Sequence, residues 1–168
     1  MFREMRRKNQ ILSQAECLAV LDRGTSGVLA VQGDGGWPYA APLSYVYEDG
    51  RLWFHCARTG NKLDAIRREP RVSFCVVDQD QVVPQEYTTY FRSVILFGRA
   101  RVLEDPAEVR AALEKLARRY WPGDTPEHLA AVAEKELPAV TMVEVAVEHL
   151  SGKEAKEQIG RASCRERV

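Results

Sequence analysis

The stretch GVLAVQGDGGWPYAAPLSYVYEDGRLWFHC, residues 27–56, decides the fold. Gly27 to Val31 is a short apolar, β-branched run, and Gly33-Asp34-Gly35-Gly36 follows it as a turn whose positive-φ positions suit glycine. A second arm, Trp37 to Tyr47, makes this a hairpin. Pro38 and Pro42 mark that arm as an edge or bulged strand, because proline has no N–H to give a ladder. Glu48-Asp49-Gly50 turns the chain once more. Arg51 to Cys56 then alternates Leu52, Phe54 and Cys56 against Arg51, Trp53 and His55, the period of two that a strand requires. Consecutive strands joined by tight turns imply an antiparallel sheet.

Upstream, Ser13-x-x-Glu16 is a capping box that opens a helix with Cys17, Leu18 and Leu21 on one stripe, ended by Gly24. Downstream, Thr59-Gly60-Asn61 opens a brief helix, Lys62 to Arg68, with Arg67 and Arg68 complementing the carboxyl end of its dipole, and Pro70 stops it. Val72 to Val77 reads as a strand, residues 78–86 as a polar connection, and Tyr87 to Leu103 as a long strand. In that strand Val94, Leu96, Gly98, Ala100 and Val102 share one side, Arg99 and Arg101 take the solvated side, and Gly98 permits a bend. Asp105-Pro106 and Thr125-Pro126 each pair an N-cap with proline at the first helical position, which predicts two more helices. The last strand alternates Thr141, Val143, Val145, Val147 and His149 with Glu144 and Glu148, and exposes the two acids. The fold class is mainly β with peripheral α: six antiparallel strands forming a barrel with short helices outside it. Residues 1–152 read as one domain and 153–168 as a tail, of which Gly160 to Val168 has the look of a cloning or vector scar.

Composition limits the function. The chain has 168 residues, 45% of them hydrophobic and 29% charged, which suits an ordinary globular domain. Its 24 basic residues cancel its 24 acidic ones, so no net field draws in nucleic acid or an acidic membrane. The uncharged apolar runs are far shorter than a membrane span, and the basic start of the chain has no apolar leader region, so a cytoplasmic location with reduced thiols is expected. Cys17, Cys56, Cys75 and Cys164 have no C-x-x-C spacing and do not cluster with the histidines, so no metal site is expected. His128 and His149 read as surface residues.

Two segments could carry chemistry. In Phe54-His55-Cys56-Ala57-Arg58-Thr59-Gly60-Asn61-Lys62 a strand ends and a helix begins with free amides, an arrangement that favours phosphate, with Lys62 adding a full charge. The same lysine also reads as an ordinary solvated helix residue. Amides and Lys62 beside Cys56 would lower its thiol pKa. Ala41 to Tyr47 mixes apolar, hydroxyl and aromatic groups on a strand left partly unpaired by its prolines, a surface suited to a flat heterocycle or simply to packing.

Pro42-Leu43-Ser44-Tyr45-Val46-Tyr47-Glu48-Asp49-Gly50, Phe54-His55-Cys56-Ala57, Gly60-Asn61-Lys62-Leu63-Asp64-Ala65-Ile66, Val72-Ser73-Phe74-Cys75-Val76 and Ser93-Val94-Ile95-Leu96-Phe97-Gly98-Arg99-Ala100, in that order, resemble the nitroimidazole-resistance branch of the pyridoxamine 5'-phosphate oxidase-like family. The resemblance runs from about Met5 to Leu150. It implies a split β-barrel homodimer with FMN at the subunit interface. Carried over by position, it sets the flavin ring against Pro42, Leu43, Ser44 and Tyr45, and the phosphate near His55, Cys56 and Lys62. Ser93 and Val94, from the other subunit, would close the pocket, and His55 is the catalytic candidate. The implied activity is FMN-dependent reduction of an electron-poor small molecule, such as the nitro group of a 5-nitroimidazole to an amine. True pyridoxamine-phosphate oxidation is not expected, since no second basic cluster is present for that substrate's phosphate. The alternative is a non-catalytic flavin- or haem-binding dimer, with His55 or His149 as the axial-ligand candidate.

Overall fold

The computed structural model describes residues 2–155. The stretch read as a scar, 160–168, lies outside them. The elements are α1 (Gln14–Arg23), β1 (Ser26–Gln32), β2 (Pro38–Ser44), β3 (Val46–Glu48), β4 (Arg51–Ala57), α2 (Asn61–Arg68), β5 (Arg71–Val83), β6 (Thr88–Val102), α3 (Pro106–Tyr120), α4 (Pro126–Glu136) and β7 (Val140–Ala155). The capping box forms: the Ser13 Oγ accepts from the Glu16 amide while Glu16 Oε2 accepts from the Ser13 amide at 2.8 Å. Asp105 and Thr125 cap α3 and α4 as their sequences require.

All pairings are antiparallel, in the order β2-β1-β5-β6-β7-β4-β3. The sheet has seven strands rather than six, because Trp37 to Tyr47 does not run as one arm. Residues 38–44 pair with β1 at one edge, and residues 46–48 pair with β4 at the other. Tyr45 alone separates them. Its ring sits in the core at 1% exposure, edge-on to Phe74, and its hydroxyl donates to the Leu21 carbonyl at 2.8 Å. β2 and β3 are thus the two ends of the strand order, joined in the chain through Tyr45, and no ladder joins them among the described residues.

The inner face is one apolar cluster in which Leu29, Leu52, Phe54, Phe74, Leu96 and Val145 are packed under α1 and α2. Of the polar connection expected over residues 78–86, only Pro84–Glu86 is a turn. β5 continues past a bulge between Val77 and Gln79 and pairs with β6 as far as Val83 opposite Thr88, because the long neighbouring strand satisfies its polar backbone. Another register shift opposite Phe97/Gly98 leaves Glu148 as the extra residue of a bulge in β7, and a Cβ on Gly98 would meet the Ala146 carbonyl oxygen at 2.3 Å.

α3 and α4 build a second, smaller core on the outer face of β4 and β7 from Trp53, Met142, Leu103, Leu113, Leu116 and Ala133. This cover overturns one expectation. Glu144 is buried, and its carboxylate accepts from Arg51 at 2.7 Å, from the Trp53 indole at 3.1 Å and from Arg101 Nε at 2.9 Å. Arg101 also forks onto Glu108, and Arg99 pairs with Glu148, so neither arginine is a free anion receptor.

Candidate functional site

The corner between β4 and α2 is built as a cationic helix start. Gly60 takes φ +134°, a conformation open to glycine, and the space where its Cβ would stand holds no atom within 4 Å. Its carbonyl accepts from the Leu63 and Asp64 amides, so the amides of Asn61 and Lys62 lead the helix, and no side chain among the described residues caps them. Around this opening Arg58, Lys62 and Arg67 form no ion pair among the described residues, whereas Arg23, Arg51, Arg71, Arg92, Arg99 and Arg101 all do. Unspent positive charge beside uncapped amides fits a phosphate group. Arg67 is a member of this group that the sequence reading assigned only to the helix dipole.

Cys56 enters the same corner from the strand. Burial pushes its thiol up against the downward pull of Lys62 and Arg67, which corrects the expectation of a lowered value. His55, next to it, is exposed and points the other way, as strand alternation demands, with Met142 as its ladder partner. The two neighbours therefore serve opposite faces of β4: Cys56 packs against the inner core and His55 stands on the face that carries Trp53.

On β2, Pro42 is exposed and Leu43 and Ser44 are half-buried; they pair with Val28, Gly27 and Ser26 and leave the strand's far edge without a ladder partner. Tyr45 presents no ring surface to a ligand, because its side chain is a core residue with its hydroxyl already bonded. Val94 is likewise a core side chain. It is 1% exposed, and its position on β6 lies between Val76 and Gly152, so both its side chain and its ladder are used. Ser93, one position away, faces outward and is half-buried.

The outer sheet face carries a feature that the sequence reading passed over. Register aligns Val28, Cys75, Ile95 and Ser151 in one row and Ala30, Ser73, Phe97 and His149 in the next. Val28, Ile95 and Phe97 are 39%, 38% and 39% exposed. Phe2 stacks on His149 at 4.5 Å and on Phe97 at 5.3 Å, which half-buries the histidine read as a surface residue. A cleft of about 350 Å³ opens beside them between Phe2, Ala30, Arg71, Ser73, Phe97 and Glu148. The signal was present in the sequence, since Ile95 and Phe97 are the apolar members of the β6 face that also carries Arg99. His128, the remaining histidine, is exposed and bonds Asp124 at 2.8 Å, a pair at the start of α4 remote from the other candidates. No helix among the described residues is long and apolar enough to cross a membrane.

Known structures share this architecture. A candidate 5-nitroimidazole antibiotic resistance protein from Bacteroides thetaiotaomicron superimposes with a TM-score of 0.71 at 20% identity, over 91% of this chain and 96% of its own. A conserved hypothetical protein from Mycobacterium tuberculosis gives 0.78 at 22% identity, over 94% and 98%. An FAD-binding protein from Mesorhizobium loti gives 0.64 at 27% identity, over 88% and 98%. No curated protein matches the chain. The open-edged antiparallel sheet, the cationic corner after β4 and the long β5–β6 hairpin all fall within residues 13–154, which match the pyridoxamine 5'-phosphate oxidase family, and the chain belongs to that family.

Proposed function

We propose that the protein is a flavin-dependent oxidoreductase that binds FMN and passes electrons from a reduced donor to an electron-poor small molecule, with a 5-nitroimidazole nitro group as the candidate acceptor. The observation that carries this reading is the group of cations Arg58, Lys62 and Arg67, without ion pairs among the described residues, around the start of α2 that no described side chain caps. The flavin, when bound, supplies the two-electron chemistry. The chain's own residues do the rest: the Asn61 and Lys62 amides and the Lys62 ammonium hold the phosphate, and the free edge of β2 at Pro42, Leu43 and Ser44 offers main-chain groups to the ring. His55, exposed at the end of β4, donates a proton or a hydrogen bond to the acceptor.

The functional unit is a homodimer in this reading. The sheet face that carries Val28, Ile95 and Phe97 is apolar and poorly covered by water, and Ser93 lies beside it on β6, where a second copy would bring it toward the partner's flavin. Sedimentation of the wild-type chain and of an Ile95→Glu variant checks this. A dimer that becomes a monomer on substitution supports the interface, and a flavin-loaded wild-type monomer contradicts it.

The functional test is anaerobic. The flavin-loaded protein is reduced, a 5-nitroimidazole is added, and flavin reoxidation is followed beside a His55→Ala variant. Reoxidation slowed at least tenfold in the variant supports the role given to His55, and unchanged kinetics removes it. A Soret band with no flavin spectrum in the purified protein would replace the reductase reading with haem binding.

A further inference from the structure

On the outer sheet face β6 and β7 set two rings side by side. Phe97 and His149 are ladder partners, and the next pairing is Gly98 with Val147, so the Glu148 bulge falls immediately beside the histidine. A bulge re-aims the side chains next to it, and here the two rings stand with centroids 6.2 Å apart and planes tilted by 35°. Phe2 lies flat over both, at 4.5 Å and 12° to His149 and at 5.3 Å and 28° to Phe97. Phe97 and His149 form a floor, and Phe2 is its cover. The cover is loosely held. Backbone bonds fasten the amino-terminal segment to the sheet only at its far end, where the Leu12 amide donates to the Gly152 carbonyl at 2.9 Å and Ile11 bridges to Lys153. Residues 2–10 make no hydrogen bond or ion pair to the sheet among the described residues. Phe2 keeps 43% of its surface exposed. Space adjoins it: a cleft of about 350 Å³ is lined by Phe2, Ser73 and Phe97, and another of about 260 Å³ runs under the segment between Met5, Ile11 and His149. Ser73, the ladder partner of Phe97, is half-buried in the larger cleft and its hydroxyl makes no hydrogen bond among the described residues.

We infer that Phe97 and His149 are the floor of a slot for a flat aromatic ring bearing a hydroxyl, and that Phe2 is the chain's own occupant of that slot, displaced when the ligand enters. The stacked geometry of Phe2 shows what the floor accepts: a ring lying parallel to it, at the separations of an offset stack. Room is sufficient, since a cavity of about 150 Å³ already holds one benzene-sized ring. Exchange costs little. No hydrogen bond to the sheet breaks when Phe2 leaves, and the incoming ring replaces its contacts. The ligand hydroxyl donates to the Ser73 Oγ, which gives the slot a polar end as well as an apolar floor. Ring quadrupoles add to the contact area, so a saturated body of the same size is not an equal substitute. The slot sits one row before the Arg71 and Arg99 pairing, where the apolar face gives way to charge. It shares Phe97 with the face assigned above to a second copy, but needs neither the flavin nor the dimer.

The test is calorimetric titration of the full chain with 2-naphthol, beside Phe2→Ala and Phe97→Leu variants shown by circular dichroism to be folded. The expected result is binding about threefold to tenfold tighter in Phe2→Ala, where the competing ring is gone, and about threefold to tenfold weaker in Phe97→Leu, which keeps apolar bulk without a ring. The saturated analogue decahydro-2-naphthol is expected to bind wild type about threefold more weakly or worse, and to be indifferent to Phe97→Leu. Failure of 2-naphthol to bind Phe2→Ala, equal binding by Phe2→Ala and wild type, or equal binding of the saturated analogue overturns the inference. Two further variants place the site. Loss of 2-naphthol binding in Lys62→Glu would mean that the probe occupies the phosphate corner, and binding confined to the Ile95→Glu variant would mean that a second copy fills the slot; either overturns it. FMN failing to bind every protein while 2-naphthol still follows positions 2 and 97 overturns the flavin reading and supports this one.

Discussion

Replacing Glu144 by alanine tests the most heavily used side chain in the fold. Its carboxylate takes three hydrogen bonds, from Arg51, Arg101 and the Trp53 indole, in a site where its side chain is 7% exposed. Hydrogen bonds to a charged group contribute about 1.5–3 kcal/mol each, and losing one partner of a fully buried ion pair costs about 3–5 kcal/mol. Both arginines here are about half exposed, 52% and 48%, and Arg101 keeps Glu108, so their share is screened and recoverable. The indole N–H has no such escape, since Trp53 is buried under α3. The expected loss is about 3 kcal/mol, equivalent in a chain of this size to roughly 6–12 °C in Tm. Urea unfolding followed by circular dichroism reads it, with Glu148→Ala as the control: that residue sits in an exposed pair with Arg99 and is expected to cost about 0–1 kcal/mol. A Glu144→Ala loss no larger than the control's would refute the view that α3 buries a working carboxylate.

Two further outcomes follow from the same coordinates. Asp78 is gripped by Arg23 through two bonds of 2.6 Å, with Arg92 at 3.5 Å, and its pKa is lowered chiefly by the hydrogen bond from Arg23. A depressed carboxyl stabilises the fold above its unfolded pKa of about 3.9, and that contribution fades as pH falls through the lower folded value. Asp78→Asn should therefore flatten the urea midpoint between pH 5 and pH 2.5 (order-of-magnitude bounds from the same linkage), and an unchanged acid slope would count against the pairing. Gly98→Ala would press a methyl against the Ala146 carbonyl oxygen and Val145, which lie 2.3 and 2.8 Å from that position, and should cost about 1–3 kcal/mol in thermal unfolding. A wild-type Tm would mean that the bulge is not constrained there.

What could be read from the sequence was what is local. The Ser13–Glu16 box, the Asp105-Pro106 and Thr125-Pro126 starts and the 33–36 turn each depend on residues within a few positions, and each forms as expected. The non-local features were hidden. Nothing in Trp37 to Tyr47 shows that the chain leaves one sheet edge and joins the other at Tyr45, because both halves have the same β pattern. Glu144 looked like a solvated strand acid because its burial depends on the helix pair, residues 106–136, folding back over β4 and β7. The polar run after Val77 looked like a loop because its partner, the far half of β6, decides its state. At the site, the Lys62 corner was legible from strand, glycine and helix in succession, whereas Arg67 joins it only through the turn of α2, and the burial of Val94 and Tyr45 depends on elements distant in sequence that pack over them.

The central claim is that the start of α2 holds the phosphate of a flavin. The direct measurement is FMN affinity of the apo-protein, by quenching of flavin fluorescence, for wild type and Lys62→Glu, with circular dichroism showing both folded. Removing a charge-assisted contact and installing a repelling carboxylate should weaken binding about a hundredfold or more. FMN bound equally well by both proteins would contradict the account.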